Sequence, residues 1–139
     1  TEPRLRQEGV ALDFTPPPAP VRVRGGEVRL QQVVLNILAN ALDAMAGRQD
    51  RALTLRIVPG NPVQLTCRDT GPGIAEPERV FDPFYTTKEA GQAEGMGLGL
   101  AISDRIIQSF GGRILARNTE GGGALFIVEL IGAPAREAA

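Results

Sequence analysis

Histidine is absent from this 139-residue chain. That one absence removes imidazole metal ligands, Ser-His-Asp and Cys-His nucleophile systems, and imidazole acid-base chemistry. Cysteine is nearly absent too: the lone Cys67 cannot form an internal disulfide and fits a reducing compartment. No apolar run reaches the roughly 18 to 20 residues needed to span a bilayer, and no signal peptide is expected at the start. A dominant charge sign is also missing. Fifteen Lys plus Arg against sixteen Asp plus Glu give a net charge of -1, so no overall field draws the chain to nucleic acid or anionic lipid, although single-sign patches remain open. No internal repeat is found.

What is present suits one folded domain, with 42% hydrophobic and 22% charged residues over a length that can bury a real core. EGVALDF predicts a strand, PPPAP a stiff polyproline-like connector, and VRVR an extended run into a Gly-Gly turn. A helix is predicted from Glu27 to Met45 or Ala46, stopped by Gly47. LTLRIV (53 to 58) and VQLTCR (63 to 68), joined by PGNP, predict an antiparallel hairpin. After DTGPGI comes a short helical turn near Glu76 to Val80, then FDPFYTTK and a Gly- and Ala-rich loop from Glu89 to Gly97. A second helix is predicted from about Gly99 to Phe110, with Ile102, Ile106 and Phe110 on one stripe and Gly111-Gly112 as its end. RILARN (113 to 118) and ALFIVEL (124 to 130) predict a closing hairpin around TEGGG, and residues 133 to 139 a frayed tail. This order predicts an α/β fold: a mixed sheet with its helices on one face.

The first helix has an unusual polar pattern. VVLNILANALDAMA carries Asn36, Asn40 and Asp43 as its only polar residues. At about 100° per residue these three fall within roughly a 60° arc, away from a stripe of Leu30, Val34, Ile37, Ala41 and Met45. Leu35, Leu38 and Leu42 widen the apolar surface. A helix apolar over most of its circumference is expected to turn such a stripe toward a cavity, where a bound polar ligand or ion satisfies the amides. Taken alone, the pattern also fits a small solvated face built from short residues.

Three further stretches bear on that choice. DTGPGI sets Asp69 at a strand end before Gly71, Pro72 and Gly73, a turn that lets backbone approach a ligand closely. GMGLGLAIS runs glycines 95, 97 and 99 into a helix start, where free N–H groups and the helix dipole favour an anion such as phosphate. Its spacing matches neither G-x-G-x-x-G nor G-x-x-x-x-G-K-[ST], which sets both of those nucleotide folds aside. Between them, FDPFYTTK places Phe81 and Phe84 three apart, followed by Thr86, Thr87 and Lys88. Singly, each stretch has an ordinary reading: a structural turn, a glycine hinge, aromatics pinning a loop, a solvated lysine. Their combination in one short domain is what is specific.

In that combination the residues resemble a known family. NILANALDAM looks like the N box, DTGPGI the G1 box, FDPFYTTK the F box and GMGLGL the G2 box of the ATP-binding catalytic domain of sensor histidine kinases. That domain belongs to the wider superfamily of gyrase, heat-shock-90, histidine kinase and mismatch-repair ATPases. The resemblance covers about residues 9 to 131, and NALDAMAG, FDPFYTTK and FGGRILARNTEGGGALFIVEL are most similar to kinases of the nitrogen-regulation and C4-dicarboxylate sensor type.

The resemblance implies a two-layer α/β sandwich, the Bergerat ATP-binding fold, with ATP held between helices and a flexible lid from about Thr86 to Gly97. It implies that Asn40 offers its side-chain oxygen to Mg²⁺, with Asn36 and Asp43 beside the triphosphate and ribose. Mg²⁺ takes oxygen ligands and keeps several waters, so one amide plus phosphate oxygens is chemically adequate. Asp69 would accept the adenine 6-amino hydrogen, while Gly71 and Gly73 let the base in. Lys88 would stand near the terminal phosphates, with Gly97, Leu98 and Gly99 presenting N–H groups to them. The implied nucleotide set also takes in Ile74, Phe81, Thr86, Thr87, Gly95 and Leu100. Asn36 and Lys88 are the expected catalytic residues, since positioning and charge neutralisation are most of what phosphoryl transfer asks of a protein.

Hydrolysing members of the superfamily carry Glu at the first N-box position, which here is Asn36. An amide is a poor general base, so the γ-phosphate is expected to pass to a nucleophile supplied from outside. In the kinases that is a histidine on a dimerising helical domain, and with no histidine in this chain it must lie on another segment of the parent protein, expected upstream. A response regulator receiver domain would follow downstream, with no nucleic acid partner and no direct membrane contact by this domain. Kinases of the subgroup are often anchored in the inner membrane with this domain in the cytoplasm. The alternative is a regulatory module that binds ATP without transferring it.

Overall fold

The structure, a computed structural model, describes residues 9–19, 21–46, 51–82 and 98–132. Its regular elements are β1 (Ala11–Phe14), α1 (Glu27–Ala44), β2 (Ala52–Val58), β3 (Val63–Asp69), a single 3₁₀ turn (Pro77–Arg79), α2 (Leu98–Ser109), β4 (Arg113–Asn118) and β5 (Ala124–Leu130). The five strands form one sheet in the order β1-β2-β3-β5-β4. Among the described strands only β1 and β2 run parallel, joined through α1; the other neighbours are antiparallel, so the sheet is mixed as expected. VRVR contributes less than its alternation suggests: one bridge, Val23 to Gly132, backed by the Arg24 N–H donating to the Ile131 carbonyl at 2.8 Å.

Strand registers put Leu53, Cys67, Ile114, Phe126, Val128 and Leu130 on one face, and the buried residues of both helices join them in one core cluster. The helices therefore cover that face, giving the expected two layers. On α1 the buried residues are Val33, Ile37, Leu38, Ala41 and Leu42, with Met45 behind them. Leu30 and Val34, expected on the same stripe, are only half-buried, and Leu35 is 50% exposed rather than extending the apolar contact. At 100° per residue Leu35 lies about 160° round from Ile37, so it points away from the sheet. Burial also increases along α1 toward its C-terminal end, a gradient that periodicity cannot show. The helix closes at Met45, whose N–H donates to the Ala41 carbonyl at 3.1 Å. Gly47, the expected stop, lies outside the described residues.

The second helix is rotated from its expected setting. Ile102 is 42% exposed, while Leu100, Ser103, Ile106 and Ile107 are buried. The buried face includes a serine, so hydrophobic spacing alone places Ile106 and Phe110 correctly but takes Ile102 in place of Ser103. Phe110 packs against the core margin as expected. The segment from Glu89 to Gly97, Phe84 and the tail at 133–139 are outside the described residues.

Candidate functional site

The ends of β3, β4 and β5 converge at one end of the sheet. Asn118 pairs with Ala124 across β4 and β5, and the Ala124 N–H donates to Oδ1 of Asp69 at 3.2 Å. The same Oδ1 accepts the Gly71 N–H at 2.8 Å, a side-chain turn that starts the chain away from the strand. Asp69 is 2% exposed, so these bonds to buried donors hold its carboxylate in a fixed setting. Gly123, at φ 89°, sits so close that a Cβ would lie 2.2 Å from the Asp69 carbonyl oxygen. Only glycine lets β5 approach β3 in this way.

The turn from Asp69 to Ile74 then packs on the C-terminal end of α1. A Cβ on Gly71 would meet the Ala44 carbonyl oxygen at 3.1 Å. Thr70 ties the same corner together: its hydroxyl accepts the Ala52 N–H at 3.1 Å and lies 3.5 Å from the Met45 sulfur. The turn's far end is held by Asn118, whose Oδ1 accepts the Ile74 N–H at 2.6 Å while its Nδ2 donates to the Ile74 carbonyl at 2.9 Å.

Two turns back along α1, a second junction forms. Asn36 Nδ2 donates to the Gly99 carbonyl at 3.2 Å and to Ser103 Oγ at 3.1 Å, and the Ser103 hydroxyl donates to Gly99 at 2.9 Å. Ser103 is fully buried. Since a carbonyl can only accept, the amide nitrogen of Asn36 must face α2. Thus α1 touches the Asp69–Ile74 turn at Ala44 and the start of α2 at Asn36, contacts separated by about 12 Å at 1.5 Å per residue. Asn40 lies between them on the same helix face, half-buried, and among the described residues it makes no hydrogen bond with its side chain. Asp43 is exposed one turn further on. A half-buried amide with no side-chain hydrogen bond among the described residues fits donation of its oxygen to a hard cation. No cluster of three or more His, Cys, Asp or Glu stands among the described residues, so a metal here would draw its other ligands from phosphate and water.

Other expected site residues are placed differently from one another. Ile74 and Phe81 pack against the core, Phe81 with its ring edge-on to Phe126 at 6.2 Å, the anchoring use open to paired aromatics. Leu100 has its side chain 8% exposed inside the core, which leaves its backbone as the part that can face a ligand. Gly99 stands at the start of α2, with Asn36 beside it. Leu98 opens that helix. Thr86, Thr87, Lys88, Gly95 and Gly97 lie outside the described residues. Sequence reasoning missed Ser103, Asn118 and Thr70. Ser103 carries a trace of signal, a small polar residue four after Gly99; the other two have none without the sheet pairing. Cys67, two residues before Asp69, is no nucleophile: burial first, and then the Asp69 charge, push its thiol up to about 12.

This geometry, an asparagine-bearing helix between an aspartate-glycine turn and a glycine-led helix start, coincides with a family match. The model of the "histidine kinase-, DNA gyrase B-, and HSP90-like ATPase" family matches residues 25–133. The chain belongs to this family. Within this ATPase family its similarity runs to sensor kinases. It is 40% identical over 132 residues to the C4-dicarboxylate transport sensor protein DctB of Pseudomonas aeruginosa, covering 92% of this chain and 21% of that protein. Similarity to the sensor protein FixL of Bradyrhizobium diazoefficiens is 38% over 125 residues, covering 87% and 24%. The catalytic domain of histidine kinase ThkA superposes with a TM-score of 0.81 at 30% identity, covering 96% of this chain and 87% of that one. The chain is thus an ATP-binding catalytic domain of the sensor histidine kinase type, spanning about a quarter or less of the length of these curated relatives.

Proposed function

We propose that this domain binds ATP with Mg²⁺ along the face of α1 and transfers the γ-phosphate to a histidine elsewhere in its parent protein. The observation that carries the reading is the pair of junctions on α1, at Ala44–Gly71 and at Asn36–Gly99, with half-buried Asn40 on the same helix face between them. Adenine is assigned to the Asp69–Ile74 turn, where the fixed carboxylate accepts the 6-amino hydrogen. The triphosphate is assigned to the start of α2, whose first N–H groups have no helical acceptor. Asn40 would hold Mg²⁺ with Asn36 and Asp43 beside the ribose and phosphates; the metal would neutralise phosphate charge during transfer. Lys88 is assigned to the terminal phosphates. Residues 1–139 act as one catalytic domain on this reading.

Asn36 favours transfer over hydrolysis, because an amide is a poor base for water and this one is engaged as a donor to Gly99 and Ser103. The acceptor is a histidine-bearing dimerisation domain of the same parent protein. Since a kinase of similar fold, ThkA, has been captured with the response regulator TrrA, a receiver domain is the proposed next partner here. The domain is assigned to the cytoplasm. Anchoring of the parent in the inner membrane would fall to another segment, as among the described residues no helix is long and apolar enough to cross a membrane.

The decisive assay mixes the domain with its histidine-bearing domain and labelled ATP. Acid-labile phosphohistidine is expected. No phosphohistidine together with an intact thermal shift by Mg-ATP would leave the binding-only alternative. Mg-ATP should also raise the melting temperature much more than Mg-GTP, and equal shifts would contradict the adenine assignment. Asn40→Ala should weaken Mg-ATP binding more than that of metal-free adenosine; matched losses would remove the metal assignment.

A further inference from the structure

We infer that Asn118 is a positioning residue for the adenine pocket, acting as the second of two clamps that fix the Asp69–Ile74 turn; this rests on the assignment of that turn to adenine. The turn leaves the sheet at Asp69 and is gripped at both ends by one cross-strand row. At its start the Ala124 N–H and the Gly71 N–H hold Asp69 Oδ1. At its end Asn118, the cross-strand partner of Ala124, makes two bonds to one residue, accepting from the Ile74 N–H at 2.6 Å and donating to the Ile74 carbonyl at 2.9 Å. A side-chain amide used this way imitates the paired backbone of a neighbouring strand, so it fixes position and orientation at once. Asn118 is itself held by the hairpin that follows, in which the Thr119 N–H donates to the Gly123 carbonyl at 3.1 Å and the Thr119 hydroxyl to Gly122 at 2.9 Å.

The clamp also gives Gly73 a new reason. A Cβ there would lie 2.7 Å from Asn118 Oδ1, and its φ of +91° is one that L side chains rarely adopt. Gly71 has a different neighbour, the Ala44 carbonyl at 3.1 Å. The two glycines of DTGPGI therefore make room for protein: the first for the end of α1, the second for Asn118. Ordering the turn before ligand arrives lowers the entropic cost of binding the base, and this is the contribution assigned to Asn118.

The test compares wild type with Asn118→Ala and Asn118→Asp. Asp keeps an oxygen for the Ile74 N–H but sets a second oxygen against the Ile74 carbonyl, so it should rescue nothing. Calorimetric titration with Mg-ATP is expected to show about tenfold weaker binding for both variants. Titration with Mg-tripolyphosphate, which lacks the base, should be unchanged. Hydrogen exchange should show the Ile74 amide exchanging faster in both variants while amides of β3 and β5 keep their protection, which separates local release of the turn from general unfolding. Wild-type ATP affinity in Asn118→Ala would overturn the inference, as would equal loss for ATP and tripolyphosphate or full rescue by Asp. Failure of wild type itself to bind Mg-ATP would instead remove the adenine assignment.

Discussion

Asp69 is where stability and recognition can be separated by one atom. Its Oδ1 satisfies two N–H donors, from Gly71 and Ala124, at a site 2% exposed. Asp69→Asn keeps an oxygen for both donors, whereas Asp69→Ala orphans them. Each orphaned buried donor costs about 1–3 kcal/mol, so the alanine variant should lose about 2–6 kcal/mol. For a domain of this size that corresponds to a fall in Tm of about 10 °C or more. The asparagine variant should melt within a few degrees of wild type. Nucleotide reverses the emphasis. At free ATP about 100 times Kd, wild type gains about 2.7 kcal/mol, or about 10 °C. If Asp69 accepts from adenine as proposed, the asparagine variant would present an amide to the 6-amino group and forfeit a charge-assisted bond of about 1.5–3 kcal/mol. Its affinity should fall about tenfold to hundredfold, and at the same ATP concentration its gain shrinks to about 0.4–1.4 kcal/mol. Differential scanning fluorimetry with and without Mg-ATP reads both effects. An asparagine variant that shifts like wild type refutes the contact with adenine, and one as unstable as alanine refutes the anchoring by Oδ1.

Gly123→Ala places a methyl 2.2 Å from the Asp69 carbonyl at φ +89°, whereas Gly122→Ala, at the same φ, meets nothing within 4 Å. Urea titration should therefore show a loss of about 2–4 kcal/mol for the first and about 1 kcal/mol for the second; equal losses would mean that close strand approach is unimportant. Asn36→Asp replaces the donor to Gly99 and Ser103 by an acceptor facing a carbonyl, and should cost about 1–3 kcal/mol with faster amide exchange in the first turn of α2. Unchanged melting would leave the amide a purely chemical purpose. With its thiol pushed up to about 12 by burial, from an ordinary value of 9.0, Cys67 should resist a thiol reagent at pH 8 until urea is added. Because the unfolded thiol ionises first, this group should erode stability as pH rises from about 9 toward 12, by up to about 1.4 kcal/mol per pH unit. Cys67→Ala should flatten that part of the stability profile, and an unchanged slope would place its origin elsewhere.

The legibility of the site follows the range of its interactions. Asn36 and Asn40 announce themselves because helical spacing is local, and Asp69 because the aspartate and its glycine turn are contiguous. Leu100 shows what spacing leaves open: a helix start presents backbone on one side and must bury side chains on the other, and the Leu100 side chain is among the buried ones. Ile102 misled for the complementary reason: it is the hydrophobic residue at the expected spacing, but Ser103, tied to Asn36, occupies the buried face. Asn118 gave no sign at all. Its partner Ile74 is 44 residues away, and nothing in RILARN marks the final Asn as different from any strand-end polar residue.

Local chemistry thus determined much of this protein from sequence alone: the order of strands and helices, the polar stripe of α1, the two glycine-bearing stretches, and the absence of any histidine to receive a phosphate. Spacing along a helix or strand is set by the backbone, so it is written in adjacent residues. What only the tertiary structure decided is which groups those features meet. The row of Asp69, Ala124 and Asn118 exists because β5 inserts between β3 and β4, and α1 joins two junctions because the sheet lays it across both. Contacts of that kind depend on the packing of distant segments against one another, and no local pattern encodes them.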